Sequence, residues 1–316
     1  MSTDLFPGFS SQFITTSQGA RIFVRVSQPK EKEEDSPKPP LLLIHGFPQT
    51  HIEFHKIAPL LLPHFTLILL DLRGYGASSP APHGSNNGSG YTKRLMGQDC
   101  VSVMEQLGFG DEKFAVVGHD RGARVAYRLA FDSPERVSKV VVVDVVPTAS
   151  MFAGFGDVKA GLKAYHWLFL AQPAPFPERM ISGDGGGGKV FLEHCLASWT
   201  ASGTLEESFS STAMERYREA YCREENIHST CEDYRAGAFF DRVYDEEELE
   251  RGRKIEVPVL AVWGDKWLPA EGKKDGPLEV WQRYCADVRG RGLRCGHFVP
   301  EEDPEGLAGE ILEFLL

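Results

Sequence analysis

Gly118-His119-Asp120-Arg121-Gly122 constrains this chain more than any other stretch. It follows the apolar run Phe114-Ala115-Val116-Val117 and precedes Ala123 to Ala130, a segment with helical patterning. Strand, sharp glycine-flanked turn and helix together describe a nucleophile elbow. The glycines permit a strained turn that presents the central side chain to a pocket. That side chain is a carboxylate. A serine there would point to ester hydrolysis, whereas Asp120 points to attack on an alkyl carbon and a covalent ester on the protein itself.

The flanking sequence supplies a scaffold for such a turn. Residues 13–16 and 21–26, split by Ser17-Gln18-Gly19, read as a hairpin. Leu41–Ile44 and Leu67–Asp71 are short apolar runs of the kind a buried parallel strand needs. A charged, proline-rich loop is expected between Lys30 and Pro40, a breaker-rich loop over 80–90, and a helix over 91–107. Further strands are expected at 139–143, 257–263 and 287–293, with helices at 277–285 and 304–315. Between about 148 and 251 the strand signal vanishes and helical, aromatic segments replace it, broken by a glycine run at 183–188. The expectation is an α/β fold, a mostly parallel sheet covered by helices. Residues 1–147 and 252–316 form its core, and residues 148–251 form an inserted helical cap.

A carboxylate nucleophile needs a base to activate water afterwards, and histidine suits that near neutral pH. His297, in Cys295-Gly296-His297-Phe298-Val299-Pro300, follows the last strand, where the chain order of such folds places it. Two acids could orient it. Asp144, at the end of the strand after the elbow, is favoured over Asp265, which comes one residue after Gly264. The backbone N–H groups of Phe47 and Arg121 are expected to form an oxyanion hole. Arg121 and Arg124 share a face at the start of the elbow helix, where the helix dipole does not favour cations. Holding a substrate carboxylate would explain them, while Arg128 reads as a surface ion-pairing residue.

The chain resembles the fluoroacetate (haloacetate) dehalogenases of the α/β-hydrolase superfamily. The likeness rests on Phe6-Pro7-Gly8-Phe9, on His45 to His51, on Gly118 to Arg124, on Tyr165 to Pro173, on Cys231 to Gly237 and on Cys295 to Glu302. It therefore spans the cap as well as the core. The resemblance implies the α/β-hydrolase fold and hydrolytic dehalogenation of small 2-haloacids through an aspartyl ester. It implies Asp120, Asp144 and His297 as catalytic residues and Arg121 and Arg124 as carboxylate binders. It also implies a halide pocket of His166, Trp167 and Tyr234, whose imidazole, indole and phenol can all donate to a departing halide. No cofactor is implied beyond water as co-substrate, and a homodimer is common in the family. Two loops, 82–90 and 183–188, look longer than a compact member needs, and Ala149 and Met151 are less bulky than expected near the cavity entrance.

Two rivals remain. An epoxide hydrolase uses the same nucleophile with two cap tyrosines, for which Tyr165 and Tyr234 are available. A non-catalytic ligand-binding protein on this fold would need a pocket but not the Asp120/Asp144/His297 set. The net charge of −11, without a basic block, argues against nucleic acid as a partner. No apolar run of about 18 residues suggests a membrane span, and Met1 to Leu5 does not read as a secretory leader, so a cytoplasmic location is expected. The six scattered cysteines read as free thiols. His51 and His55 are four apart but lack a third ligand, so they read as helix-start residues near the pocket rather than a metal pair. The glycine run at 183–188 lacks the Gly-Lys-Ser/Thr of a phosphate loop.

Overall fold

The computed structural model describes residues 4–28, 38–82, 84, 87–183, 186–268 and 276–316. The expected charged loop at 30–40 lies almost wholly outside them, as do parts of the loops at 80–90 and 183–188. Phe9–Thr15 (β1) and Arg21–Ser27 (β2) form the anticipated antiparallel hairpin, with Phe13 opposite Phe23. Pro40–Ile44 (β3), Thr66–Leu70 (β4), Phe114–His119 (β5), Val137–Val143 (β6), Val259–Gly264 (β7) and Val288–Leu293 (β8) complete an eight-stranded sheet. Its order is β1-β2-β4-β3-β5-β6-β7-β8. β2 meets β4 antiparallel, and every pair from β4 to β8 is parallel.

The apolar runs dictate that order. Leu41 to Ile44 have no accessible surface, so β3 must lie where both faces are covered, and it sits between β4 and β5. β8 instead alternates exposed and half-buried residues and carries Arg289 and Arg291, which suits an edge that should not recruit another strand. Truncating a fully buried central residue such as Leu42 to alanine should cost about 2–5 kcal/mol.

Two local readings shift. The helix expected over 91–107 is Lys93–Met104, started by Thr92, whose hydroxyl accepts from the Leu95 N–H. Its continuation, Glu105–Phe109, widens into a π-turn with Gly108 inside it at φ 93°. The glycine run does not stay a loop to 188, because helix Gly187–Trp199 begins inside it, directly after left-handed Gly186.

Between β6 and β7 the described residues form helices and no strand. The two ends of this insertion are tied together at the elbow helix Arg121–Asp132. Asp245, near the end of the insertion, accepts from the Ala149 N–H at its start (3.1 Å) and from the Tyr127 hydroxyl of the elbow helix (2.8 Å). Arg128 of the same helix is buried rather than superficial, and pairs with Asp132 and Glu248. No helix among the described residues is long and apolar enough to cross a membrane.

Candidate active site

β5 ends at His119 and the elbow helix begins at Arg121, which leaves Asp120 alone on the turn at φ 43°, ψ −111°. A non-glycine residue in such a region costs about 1–3 kcal/mol and persists only when its surroundings impose it. The surroundings do so by close packing. A Cβ on Gly118 would strike Gly122, and a Cβ on Gly122 would strike the Ile44 carbonyl of β3. The helix can therefore start hard against the sheet and push Asp120 outward. Its Oδ2 accepts from the Phe47 N–H at 3.0 Å. Burial works to raise the Asp120 pKa, but the fields of His297, Arg124, Arg121 and His119 outweigh it and hold the carboxyl below its ordinary value.

Asp144 follows β6 in the left-handed region, at φ 56°. One of its oxygens accepts from the Gly264 N–H at 2.9 Å, and the other lies 2.5 Å from His297 Nδ1. The alternative acid, Asp265, is exposed at the surface. His297 is held from behind, since its N–H donates to the Trp199 carbonyl at 2.9 Å. Carboxylate, histidine and acid thus converge from the ends of β5, β8 and β6.

The two arginines differ sharply. Arg121 has no accessible surface and is clamped by Asp233 of helix Glu224–Ala236. Nε donates to Asp233 Oδ2 at 2.9 Å, and Nη2 donates to Oδ1 and to the Asp233 carbonyl, both at 2.8 Å. Burial opposes the charge, yet Asp233 raises the Arg121 pKa well above its ordinary value. Lys93 and the Tyr75 hydroxyl reach the same carboxylate. Arg124 is equally buried but meets no carboxylate among the described residues. Its Nη1 donates to the Val146 carbonyl at 3.0 Å and to Thr148 Oγ1 at 3.1 Å, while Nε is buried without a partner among the described residues. Burial, reinforced by neighbouring Arg121, pulls its pKa below the usual guanidinium value.

A cavity of about 50 Å³ opens over the elbow. Asp120, Arg124, Asp144, His166, Trp167 and His297 line it. At roughly 10–15 Å³ per water, that is space for a molecule of a few heavy atoms. Arg121, Tyr234 and Phe47 stand behind the wall. The Arg121 guanidinium lies 4.3 Å over the Tyr234 ring and 5.1 Å over that of Trp167, and Phe47 stacks against His166 at 6.2 Å. Burial lowers the His166 pKa to about 3, so the imidazole is neutral, and its Nδ1 has no partner.

Met151 lines the cavity as well, whereas Ala149 is turned to Asp245. His51 and His55 do not line it. His51 bonds Asp71 at 2.7 Å beside a separate groove, and His55 faces Glu301. Tyr165 is half-buried, with its hydroxyl against Cys195 rather than the cavity. All six cysteines are free. Reading the sequence missed Asp233, Glu53 and the cavity wall residue Trp199. Trp267, also in the wall, stands three residues after Gly264, where an acid would have been an alternative partner for the histidine. That spacing was the one available signal.

Comparison with known proteins agrees with the fold. The family model described as alpha/beta hydrolase fold matches residues 39–269. A fluoroacetate dehalogenase from Burkholderia sp is 39% identical over 88% of this chain and 87% of its own length. A soluble epoxide hydrolase from Corynebacterium sp. (strain C12) is 29% identical over 87% of this chain and 89% of its own. The crystal structure of a putative alpha/beta hydrolase from Nostoc sp PCC 7120 superposes with a TM-score of 0.86 at 41% identity, covering 97% of this chain and 98% of that one. Matched over most of its length and built around the elbow its sequence announces, this chain belongs to the alpha/beta hydrolase fold family.

Proposed function

We propose that the protein hydrolyses small 2-haloacids such as haloacetates to 2-hydroxy acids and halide, with residues 148–251 as the cap that encloses the substrate. The observation that carries this reading is Arg124. It is a buried guanidinium on the wall of a cavity of about 50 Å³, without a carboxylate partner among the described residues, and its pKa is depressed by burial. A buried cation of this kind is costly until an anion arrives. A substrate carboxylate fits the charge, and the cavity volume restricts the rest of the molecule to a few atoms.

In this reading Arg124, on the cavity wall, holds the acid end of the substrate, and Arg121 behind the wall adds its positive field, so that Asp120 lies behind the carbon–halogen bond. Phe47 N–H occupies Oδ2 of Asp120, which leaves Oδ1 to attack. The new C–O bond forms as the carbon–halogen bond breaks, and halide leaves with the electron pair. His166 and Trp167, on the cavity wall, donate hydrogen bonds to it, with Tyr234 packed behind them. His297, held by Asp144, then takes a proton from water. The resulting hydroxide adds to the Asp120 ester carbonyl, whose oxygen is already at the Phe47 N–H, and the hydroxy acid departs as Asp120 is regenerated. The similarity to a fluoroacetate dehalogenase supports the substrate class. An epoxide hydrolase would need two tyrosines at the cavity, and Tyr165 is engaged with Cys195 instead.

Halide release measured with fluoroacetate and chloroacetate, beside diol formation from a neutral epoxide, tests the reading. Halide without diol is expected. Diol without halide, or neither product, would overturn it.

A further inference from the structure

Behind the nucleophile lies a second buried pair that the reaction above does not use. His119, the residue before Asp120, and Glu53, in the short helical turn His51–His55 after β3, have no accessible surface. His119 Nδ1 is 3.1 Å from Glu53 Oε2, and its Nε2 is 2.9 Å from the His297 carbonyl oxygen. The same Glu53 oxygen accepts from the Gly46 N–H at 3.3 Å.

The hydrogen bonds restrict the ring's state. A carbonyl oxygen can only accept, and so can an ionised carboxylate. An imidazole whose two nitrogens both face acceptors must carry hydrogen on both, so it is an imidazolium. We propose that Glu53 holds His119 as a buried imidazolium, and that this pair positions three loops of the site at once: the Gly46 loop, the nucleophile turn and the His297 loop. The cation also lies directly behind Asp120 and favours its ionised form. Glu53 and His119 are thus positioning residues for the proposed hydrolysis, and their role in catalysis rests on that reading.

The electrostatic surroundings agree. Burial alone would discharge His119, but Glu53, Asp120 and Asp144 more than offset it and raise its pKa to about 9. His297 is the other titratable ring packed on it, with centroids 4.9 Å apart. On its far side Glu53 faces His45, Tyr217 and Glu301. Burial lowers the pKa of His45 and raises that of Glu301, so neither supplies a charge that would replace His119 as the partner of Glu53. The second Glu53 oxygen is buried without a partner among the described residues, which makes the His119 contact its main compensation.

The wild-type protein allows a direct test by ¹⁵N NMR of histidine-labelled material, with the His119 ring assigned by its loss in His119→Gln. Both ring nitrogens should remain protonated across pH 6 to 8. A neutral tautomer at pH 7.5 would overturn the proposal. This arm needs no substrate, so it stands even if no halide is released and the dehalogenase reading fails. If chloroacetate is turned over, Glu53→Gln should lower kcat roughly tenfold with little change in KM, and Glu53→Asp should recover part of it. An unchanged kcat in Glu53→Gln would refute the positioning role.

Discussion

Asp233 occupies two of the three guanidinium nitrogens of Arg121, and the third, Nη1, is buried without a partner among the described residues. A residue of the helical segment between β6 and β7 thereby fixes which edge of Arg121 is engaged. Asp233 itself is compensated by Lys93 and Tyr75, so four side chains from separate segments share one buried charge network.

Breaking that network should be costly. Asp233→Asn leaves Arg121 and Lys93 with excess buried positive charge, and removing one member of such a pair typically costs about 3–5 kcal/mol. Chemical denaturation should register a loss of this order. A loss within about 0.5 kcal/mol, as for a surface substitution, would mean that the clamp is not a stabilising contact.

Arg124 should separate charged from neutral substrates. Arg124→Met keeps the side-chain volume but removes the cation, and kcat/KM for chloroacetate should fall by roughly 10²-fold or more. A neutral haloalkane analogue, if turned over at all, should not lose activity. Equal losses on both would assign Arg124 to packing.

Gly46 sets the approach of the Phe47 N–H to Asp120. A Cβ at Gly46 would lie 2.5 Å from Asp120 Cβ and 2.8 Å from the His119 carbonyl oxygen, so the turn would have to shift. Gly46→Ala should therefore fold with altered geometry at the elbow and lose turnover by at least about 10²-fold. Circular dichroism and the halide assay together test this. Full activity in a folded variant would contradict the geometry.

Glu301 gives a pH signature. It is buried beneath the Tyr217 hydroxyl at 2.6 Å, and burial raises its pKa from 4.5 to about 7. A carboxyl raised on folding contributes stability that is present below pH 4.5 and lost as pH rises through 7. Wild type should therefore lose up to about 3 kcal/mol relative to Glu301→Gln between pH 4.5 and 8. Parallel stability curves for the two proteins would contradict this.

Much of the site was legible because its signals are local. The Gly118–Gly122 turn, the apolar strands before it and the late His297 each sit within a short stretch of chain. Asp144 could be chosen over Asp265 because it ends the strand beside the elbow. The partner of Arg121 was not legible, since Asp233 lies 112 residues away and an acidic residue on helix Glu224–Ala236 carries no mark of its direction. Glu53 was hidden for the same reason: beside His51 and His55 it looks like an ordinary polar residue at a helix start. The loop expected at 183–188 and the helix expected over 91–107 differ from the structure at their ends because glycine runs and apolar periodicity do not fix where a helix begins or stops.

The intact mass of His297→Asn after incubation with chloroacetate tests the central claim most directly. Without the base, the first step should proceed and the second should stall. The protein should gain one carboxymethyl group, mapped to the peptide containing Asp120, as one equivalent of chloride is released. An unmodified protein, or an adduct at any other residue, would contradict a mechanism through the Asp120 ester.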